Sequence, residues 1–293
     1  MGVTLLGAVN QTNHDTIPAG TANTPFGKAP LRQYVDIHCH CLAAVDDGPA
    51  TLADALVLCR KLADDCIATA IATPHQLGRF SGCNEAAQIR EAVAALNEEL
   101  KSNNIALTVA PGGDVRVDER ICQLLEADKI LTLADGGKYI LLELPHEIFI
   151  DIEPLLVGLS SLGIQAIISH PERHPFLARQ PKILRKWLEH SSHLQLTAAS
   201  LLGDFGPAAE KAAWDFLSSG LASLVATDSH DSSRRRPRMK AAFEHISNKM
   251  GQTTACLVCI ENPLRVLTGR DIAFGCTPIT RKYDNERRVP SIS

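Results

Sequence analysis

The sequence predicts an α/β domain in which parallel strands alternate with crossover helices. Seven apolar runs of strand length recur along it, and segments of helical period lie between most of them. No low-complexity tract or internal repeat interrupts the alternation, so the runs belong to one continuous core. With 293 residues, 45% of them hydrophobic, the chain is long enough to bury such a core in a single domain.

The strand-length runs fall at 34–39, 67–73, 106–110, 139–144, 164–169, 194–197 and 221–227. Helical spacing of apolar residues predicts helices at 52–65, 86–101, 118–127, 152–162, 181–190 and 207–218, with two more at 237–250 and 262–268. Seven parallel strands suggest a closed or nearly closed barrel, with an open doubly wound sheet as the alternative. Residues 1–33, rich in Thr, Asn, Gly, Ala and Pro, read as a flexible leader. Residues 34–272 read as the domain, and 273–293 as a polar tail.

Charge and cysteine usage narrow the class. A formal net charge of -4 supplies no global field for nucleic acid or an anionic membrane, so any basic docking patch must be local. No run reaches the ~18 apolar residues of a membrane span. The first residues lack both the basic and the long apolar region of a secretory signal, and Gly2 lies in no persuasive acylation context. The nine cysteines, odd in number and scattered through apolar segments, read as reduced thiols, which makes the cytoplasm the expected compartment. Cys256 and Cys259 have CxxC spacing but no second pair, and read as core cysteines.

The chemistry concentrates at the strand ends. In Asp36-Ile37-His38-Cys39-His40 the two histidines, two residues apart on an extended strand, share one face, while Cys39 and Cys41 face away. Alone, HxH is weak, because buried histidines are usually just hydrogen-bonded. The other strand ends strengthen it. Asp46-Asp47-Gly48 follows the first run, Thr73-Pro74-His75 the second and Gly112-Gly113-Asp114 the third. Glu143 sits inside the fourth, His170-Pro171-Glu172-Arg173 follows the fifth, and Asp228-Ser229-His230 the seventh. The C-terminal ends of parallel strands open on one face, so these side chains form one ring. A turn or helix cap accounts well for Asp46. It accounts poorly for Glu143, since an unpaired carboxylate inside Leu-Leu-Glu-Leu is costly to bury. The pattern points to a site for more than one divalent ion. Oxygen and nitrogen donors without cysteine suit Mn²⁺, Fe, Zn²⁺ or Mg²⁺.

Nucleophile motifs are missing or misplaced. There is no GxSxG and no glycine-rich phosphate loop. Cys259 and Arg265 have the spacing of cysteine-based tyrosine phosphatases, but Pro263 and the lack of glycine between them argue against a phosphate cradle. This stretch reads as the end of one helix and the start of another.

With these residues in place, the chain resembles the polymerase and histidinol phosphatase (PHP) superfamily. More narrowly, it is similar to the bacterial protein-tyrosine phosphatases of capsule and exopolysaccharide loci. The resemblance spans about Tyr34 to Arg270 and rests on the motifs above together with Gly78-Arg79-Phe80, Ser200-Leu201-Leu202-Gly203 and Arg235-Arg236-Pro237. It implies a distorted seven-stranded (β/α)7 barrel of PHP type, a cluster of up to three ions with Mn²⁺ favoured, and attack by a metal-bound hydroxide. One ion would take His38, His40 and Asp228 with a bridging carboxylate. A second would take the bridge, Glu143 and His170, and a third Asp47, His75 and His230. Relatives carry Glu at the bridge, where this chain has the shorter Asp114. Arg173 and Arg236 would act on the phosphoryl group, with Arg79, Phe80 and Arg235 binding substrate. The implied partner is a phosphotyrosine protein, such as a bacterial tyrosine autokinase, and an oligomer is allowed. A phosphatase of small phosphomonoesters (histidinol phosphate, a sugar phosphate) and a non-catalytic regulatory relative are the competing readings.

Overall fold

The computed structural model describes residues 33–273. The expected leader (1–33) and tail (273–293) therefore lie, but for Gln33 and Ala273, outside the described residues, as does Cys276. All strand pairs are parallel, as the alternation requires. The strands are β1 (Tyr34–Cys39), β2 (Ile67–Ala72), β3 (His75–Gln76), β4 (Thr108–Pro111), β5 (Asp114–Arg116), β6 (Tyr139–Glu143), β7 (Gln165–Ser169), β8 (His193–Thr197) and β9 (Leu224–Ala226).

The hydrogen-bonded ladders form two sheets, β1-β2-β4 and β3-β5-β6-β7-β8-β9, rather than one sheet of seven strands. The sequence explains the interruptions. Pro74, with no N–H for the ladder, separates β2 from β3, and Pro111-Gly112-Gly113 separates β4 from β5, so that β3 and β5 lie beyond the expected runs at 67–73 and 106–110. The sheets stay joined where the runs continue. The Asp114 N–H donates to the Pro74 carbonyl at 3.1 Å, and the Thr73 N–H to that of Cys39 at 2.9 Å. On the other side the end of β1 meets the segment after β9, with Asp228 N–H to His38 O at 2.8 Å and His40 N–H to Ser229 O at 2.9 Å.

The helices are α1 (Leu52–Asp64), α2 (Ala86–Ser102), α3 (Ile121–Glu126), α4 (Glu153–Ser161), α5 (Pro181–Leu188), α6 (Ala198–Leu201), α7 (Pro207–Ser218), α8 (Met239–Met250), α9 (Gln252–Cys256) and α10 (Asn262–Leu267). In α1 the Thr51 hydroxyl accepts the Asp54 N–H at 3.2 Å, and Ala55, Leu58, Cys59 and Leu62 make the buried stripe. α3 starts later than the expected 118 because the Asp118 carboxylate takes the Arg120 N–H in a turn. β9 is shorter than the expected 221–227 because Leu221 and Ala222 still donate to the Phe216 carbonyl, closing α7. The expected helix break before residue 262 is absent. A π-helical turn, Leu257–Glu261, carries α9 into α10, a register change that accommodates Pro263.

Alternation along the strands sorts two cores. Ile140, Leu142, Ala166, Ile168, Leu194, Leu196 and Val225 face the helices. Val35, Ile37, Tyr139, Leu141, Ile167, Leu224 and Ala226 meet in a smaller inner cluster. Near the C-terminal strand ends the inward positions become Glu143, Ser169, Gln195 and Thr197, all buried. The eight described cysteines are free, with Cys39, Cys41, Cys59 and Cys259 fully buried. Among the described residues no helix is long and apolar enough to cross a membrane.

Candidate metal centre

The histidine pair owes its direction to a defect in β1. Pairing with β2 is irregular between Asp36 and Cys39, where three residues on β1 span two on its partner. Ile37 and His38 therefore both face inward, and the alternation beyond them is reversed. His38 and His40 turn into the ring of strand ends, while Cys39 and Cys41 join the core under the helices. Each ring is fixed through its outer nitrogen. Gln195 Oε1 accepts from His38 Nδ1 at 2.9 Å, and Asp46 Oδ2 accepts from His40 Nδ1 at 2.7 Å. The two Nε2 atoms then face each other at 3.2 Å. An acceptor behind each imidazole, leaving the inner lone pair aimed at a common point, is how proteins orient metal-binding histidines. Asp46 also takes the N–H groups of Gly48 (2.9 Å) and His75 (3.0 Å), so it both makes the expected turn and orients a histidine. Only glycine fits at position 48, since a Cβ there would lie 2.6 Å from the His40 carbonyl oxygen.

All nine expected ligands converge. Asp228 Oδ1 lies 3.3 Å from His38 Nε2 and 3.6 Å from both His40 Nε2 and His230 Nδ1. Asp47 Oδ1 lies 3.3 Å from His75 Nε2 and 3.4 Å from His230 Nε2. Asp114 Oδ2 lies between His75 Nδ1 (3.2 Å) and His38 Nε2 (3.7 Å). Glu143 approaches His75 Nδ1 at 3.6 Å and His170 Nε2 at 3.9 Å. The donors fall into overlapping sets: His38, His40 and Asp228; His40, Asp47, His75 and His230; His38, Asp114 and His170; His75, Asp114 and Glu143. Asp114 belongs to two of them, as a bridging ligand should. His170 and Asp228 both adopt left-handed backbone, at φ 32° and 52°, the local strain that functional positions tolerate.

The electrostatics agree with a cation site. Both Asp114 oxygens and His230 Nε2 are buried without a hydrogen-bond partner. Burial alone would raise Asp114 and Asp228, but surrounding histidines, and for Asp228 also Arg235 and Arg173, hold both well below the usual carboxylate range. Glu143 is raised by burial and by the charge on Asp114. Burial opposes charge on His75, yet the adjacent Asp114 and Asp47 carboxylates push it up to about 11. His40 falls to about 3 through burial and its neighbour His230. Four carboxylates crowd among five imidazoles, and the donor set is all nitrogen and oxygen, the chemistry of a divalent-cation site.

The pocket over these donors has a volume of about 370 Å³. Arg173 and Arg235 reach into it and both bind Asp228 Oδ2, Arg235 at 2.6 Å. Arg79 pairs with Asp47 at 2.9 Å and lies 4.7 Å over the Phe80 ring, which stacks on His75 at 5.6 Å. Arg236, expected to act on the phosphoryl group, lies outside: it is exposed, and among the described residues its guanidinium donates to the Ser233 carbonyl. The turn after β9 decides this. The Asp231 carboxylate gathers the N–H groups of Ser233, Arg234 and Arg235 and points Arg235 inward.

Four pocket residues, Leu77, Arg116, His146 and Glu147, escaped the sequence reading, two of them beside the donors. Arg116, which bonds Glu143 at 3.0 Å, lies two positions beyond Asp114 on β5, so strand alternation could have found it. His146 stacks on His170 at 5.5 Å and groups with Glu143 and His170 as a possible donor set, a placement set by the loop after β6. Cys259 is remote from this chemistry, fully buried in the π turn with its thiol pushed up by burial.

Residues 34–268 match the family described as capsular polysaccharide synthesis, CpsB/CapC. The tyrosine-protein phosphatase YwqE of Bacillus subtilis is 34% identical over 218 residues, covering 74% of this chain and 85% of that protein. The tyrosine-protein phosphatase CpsB of Streptococcus pneumoniae is 28% identical, covering 80% and 98%. A chain from the crystal structures of YwqE from B. subtilis and CpsB from S. pneumoniae, described as unique metal-dependent tyrosine phosphatases, aligns with a TM-score of 0.77. It is 32% identical over 82% of this chain and 96% of that one.

Proposed function

The chain belongs to the CpsB/CapC family of capsular polysaccharide synthesis, and from that premise we propose that it is a metal-dependent protein-tyrosine phosphatase. One observation carries the reading most directly: nine N and O donors meet in one pocket, around a buried Asp114 whose oxygens have no hydrogen-bond partner. The metal ligands are His38, His40, Asp47, His75, Asp114, Glu143, His170, Asp228 and His230, on the inner face of a distorted barrel of seven strand positions. Divalent cations, Mn²⁺ first among them, acidify water and neutralise phosphoryl charge when bound there.

The chain's own residues do the rest. Arg173 and Arg235 approach from one wall and Arg116 from another, placing guanidinium donors where phosphoryl oxygens would lie. Phe80, held flat against His75, offers a face to a phenyl ring. Gln195 and Asp46 keep His38 and His40 in the tautomer that presents Nε2 inward. That Asp114 reaches the centre despite its shorter side chain supports an intact cluster over a degraded, regulatory one. A phosphotyrosine protein is the substrate class, and a bacterial tyrosine autokinase in the cytoplasm fits the family's link to capsule synthesis.

Turnover of a phosphotyrosine peptide by the metal-loaded protein, together with elemental analysis, tests the proposal. Activity lost to a chelator and restored by Mn²⁺ is expected. Activity that survives exhaustive chelation but disappears in Cys259→Ser would overturn it, and preference for histidinol phosphate or a sugar phosphate over every phosphopeptide would redirect it.

A further inference from the structure

A second cavity opens beside the metal pocket, and one residue lines both. On one side the Arg173 guanidinium pairs with Asp228; on the other it lies 4.3 Å over the Phe205 ring. The cavity, about 720 Å³, runs between residues 172–185 and α7. Its floor is apolar, formed by Phe205, Phe216, Ala212 and Pro175. Its rim carries three exposed cations, Arg179, Arg185 and Lys211. Lys211 is occupied by Asp215 one helical turn along α7. Arg179 and Arg185 form no ion pair among the described residues. The other acid, Glu172, is buried and spends one oxygen on the Thr197 N–H.

On a chain whose formal charge is -4, two guanidiniums without ion-pair partners stand over an apolar floor that adjoins the phosphate pocket through Arg173. The cavity is far larger than a small anion needs, and its floor is apolar. It suits an extended chain that lays apolar groups on the floor and acidic groups along the edge. We propose that this groove is a substrate subsite: it receives the peptide segment adjoining the phosphotyrosine and favours acidic side chains there. The proposal rests on the tyrosine phosphatase reading and extends it to sequence preference. Arg173 would link the two, touching the phosphate pocket and the groove wall at once.

Phosphotyrosine peptides carrying Glu, Ala or Lys at the two to four positions on either side of the phosphotyrosine test it, by kcat/KM at low ionic strength. Acidic flanks on one side should be favoured by about 3- to 10-fold, the scale of partly screened surface ion pairs, and the advantage should shrink with added salt. The double variant Arg179→Glu/Arg185→Glu should lose or invert the preference while turning over p-nitrophenyl phosphate as the wild type does. Equal rates across the wild-type series, or a preference that persists in the double variant, would overturn the proposal. Calorimetric binding of the same peptides carrying a non-hydrolysable phosphonate keeps the two claims apart. If no phosphate ester is turned over, the catalytic reading falls, and the groove stands or falls on whether binding still ranks with acidity.

Discussion

The inward face of the strands has two ends that obey opposite rules. At the lower end Ile37, Leu141, Ile167 and Leu224 pack apolar side chains against one another, and the gain is the removal of apolar surface from water. One to four residues further along, at or just past the ends of the same strands, His38, Glu143, His170 and Asp228 crowd charge into an almost equally buried space. The first arrangement is stable as it stands. The second is costly unless something balances it: Arg173, Arg235 and Arg116 supply part of the balance, and cations would supply the remainder. The contrast shows where stability and function separate in this fold, a few ångströms apart on shared strands.

Substitutions can break or sharpen the contrast. At the polar end, Asp228→Asn removes a cluster carboxylate and the anchor of both arginines. It should lower kcat on a phosphotyrosine peptide by at least ~10²–10³, with metal content per chain falling in elemental analysis. A variant that keeps full activity and full metal content would dissolve the distinction between the two ends. At the apolar end, Ile167→Ala should destabilise the fold by about 2–5 kcal/mol in denaturant unfolding while leaving kcat per folded molecule unchanged. A large kcat loss there would mean that the lower core positions the ligands directly.

The arginines give a finer test. Arg235→Ala should reduce kcat/KM about 10-fold or more through loss of a charge-assisted contact, whereas Arg236→Ala should change it less than about 2-fold, as expected for an exposed side chain. Reversal of that order would place Arg236, not Arg235, at the phosphate. The smallest effect is expected from Asp114→Glu. The added methylene should change Mn²⁺ affinity measurably by titration calorimetry with the melting temperature shifting only slightly, because Asp114 serves cations rather than packing.

Much of this was legible in the sequence because its signals are local. The period of α1 and α2, and the apolar runs of β6 and β7, placed those elements to within a residue or two. Acids and histidines recurring after successive strands pointed to this ring, and the resemblance singled out nine residues that converge there, while His146, a tenth donor of the overlapping sets, went unseen. The errors came where a local signal met a competing one. Asp118 took a backbone N–H and delayed α3, the short strands β3 and β5 formed past Pro74 and Pro111-Gly112-Gly113 where no run was expected, and the Asp231 turn chose between adjacent arginines.

The sequence by itself marked acids and histidines able to bind a cation and the strand each would follow, since side-chain chemistry and a two-residue period need no partner. Only the tertiary structure decided which way they point. The irregular pairing of β1 with β2 turns His38 and His40 inward, Gln195 and Asp46 fix their rings from behind, and loops distant in sequence bring His146 beside His170 and Arg173 beside Phe205. Those outcomes depend on what neighbouring strands and loops leave free, and no single segment carries that information.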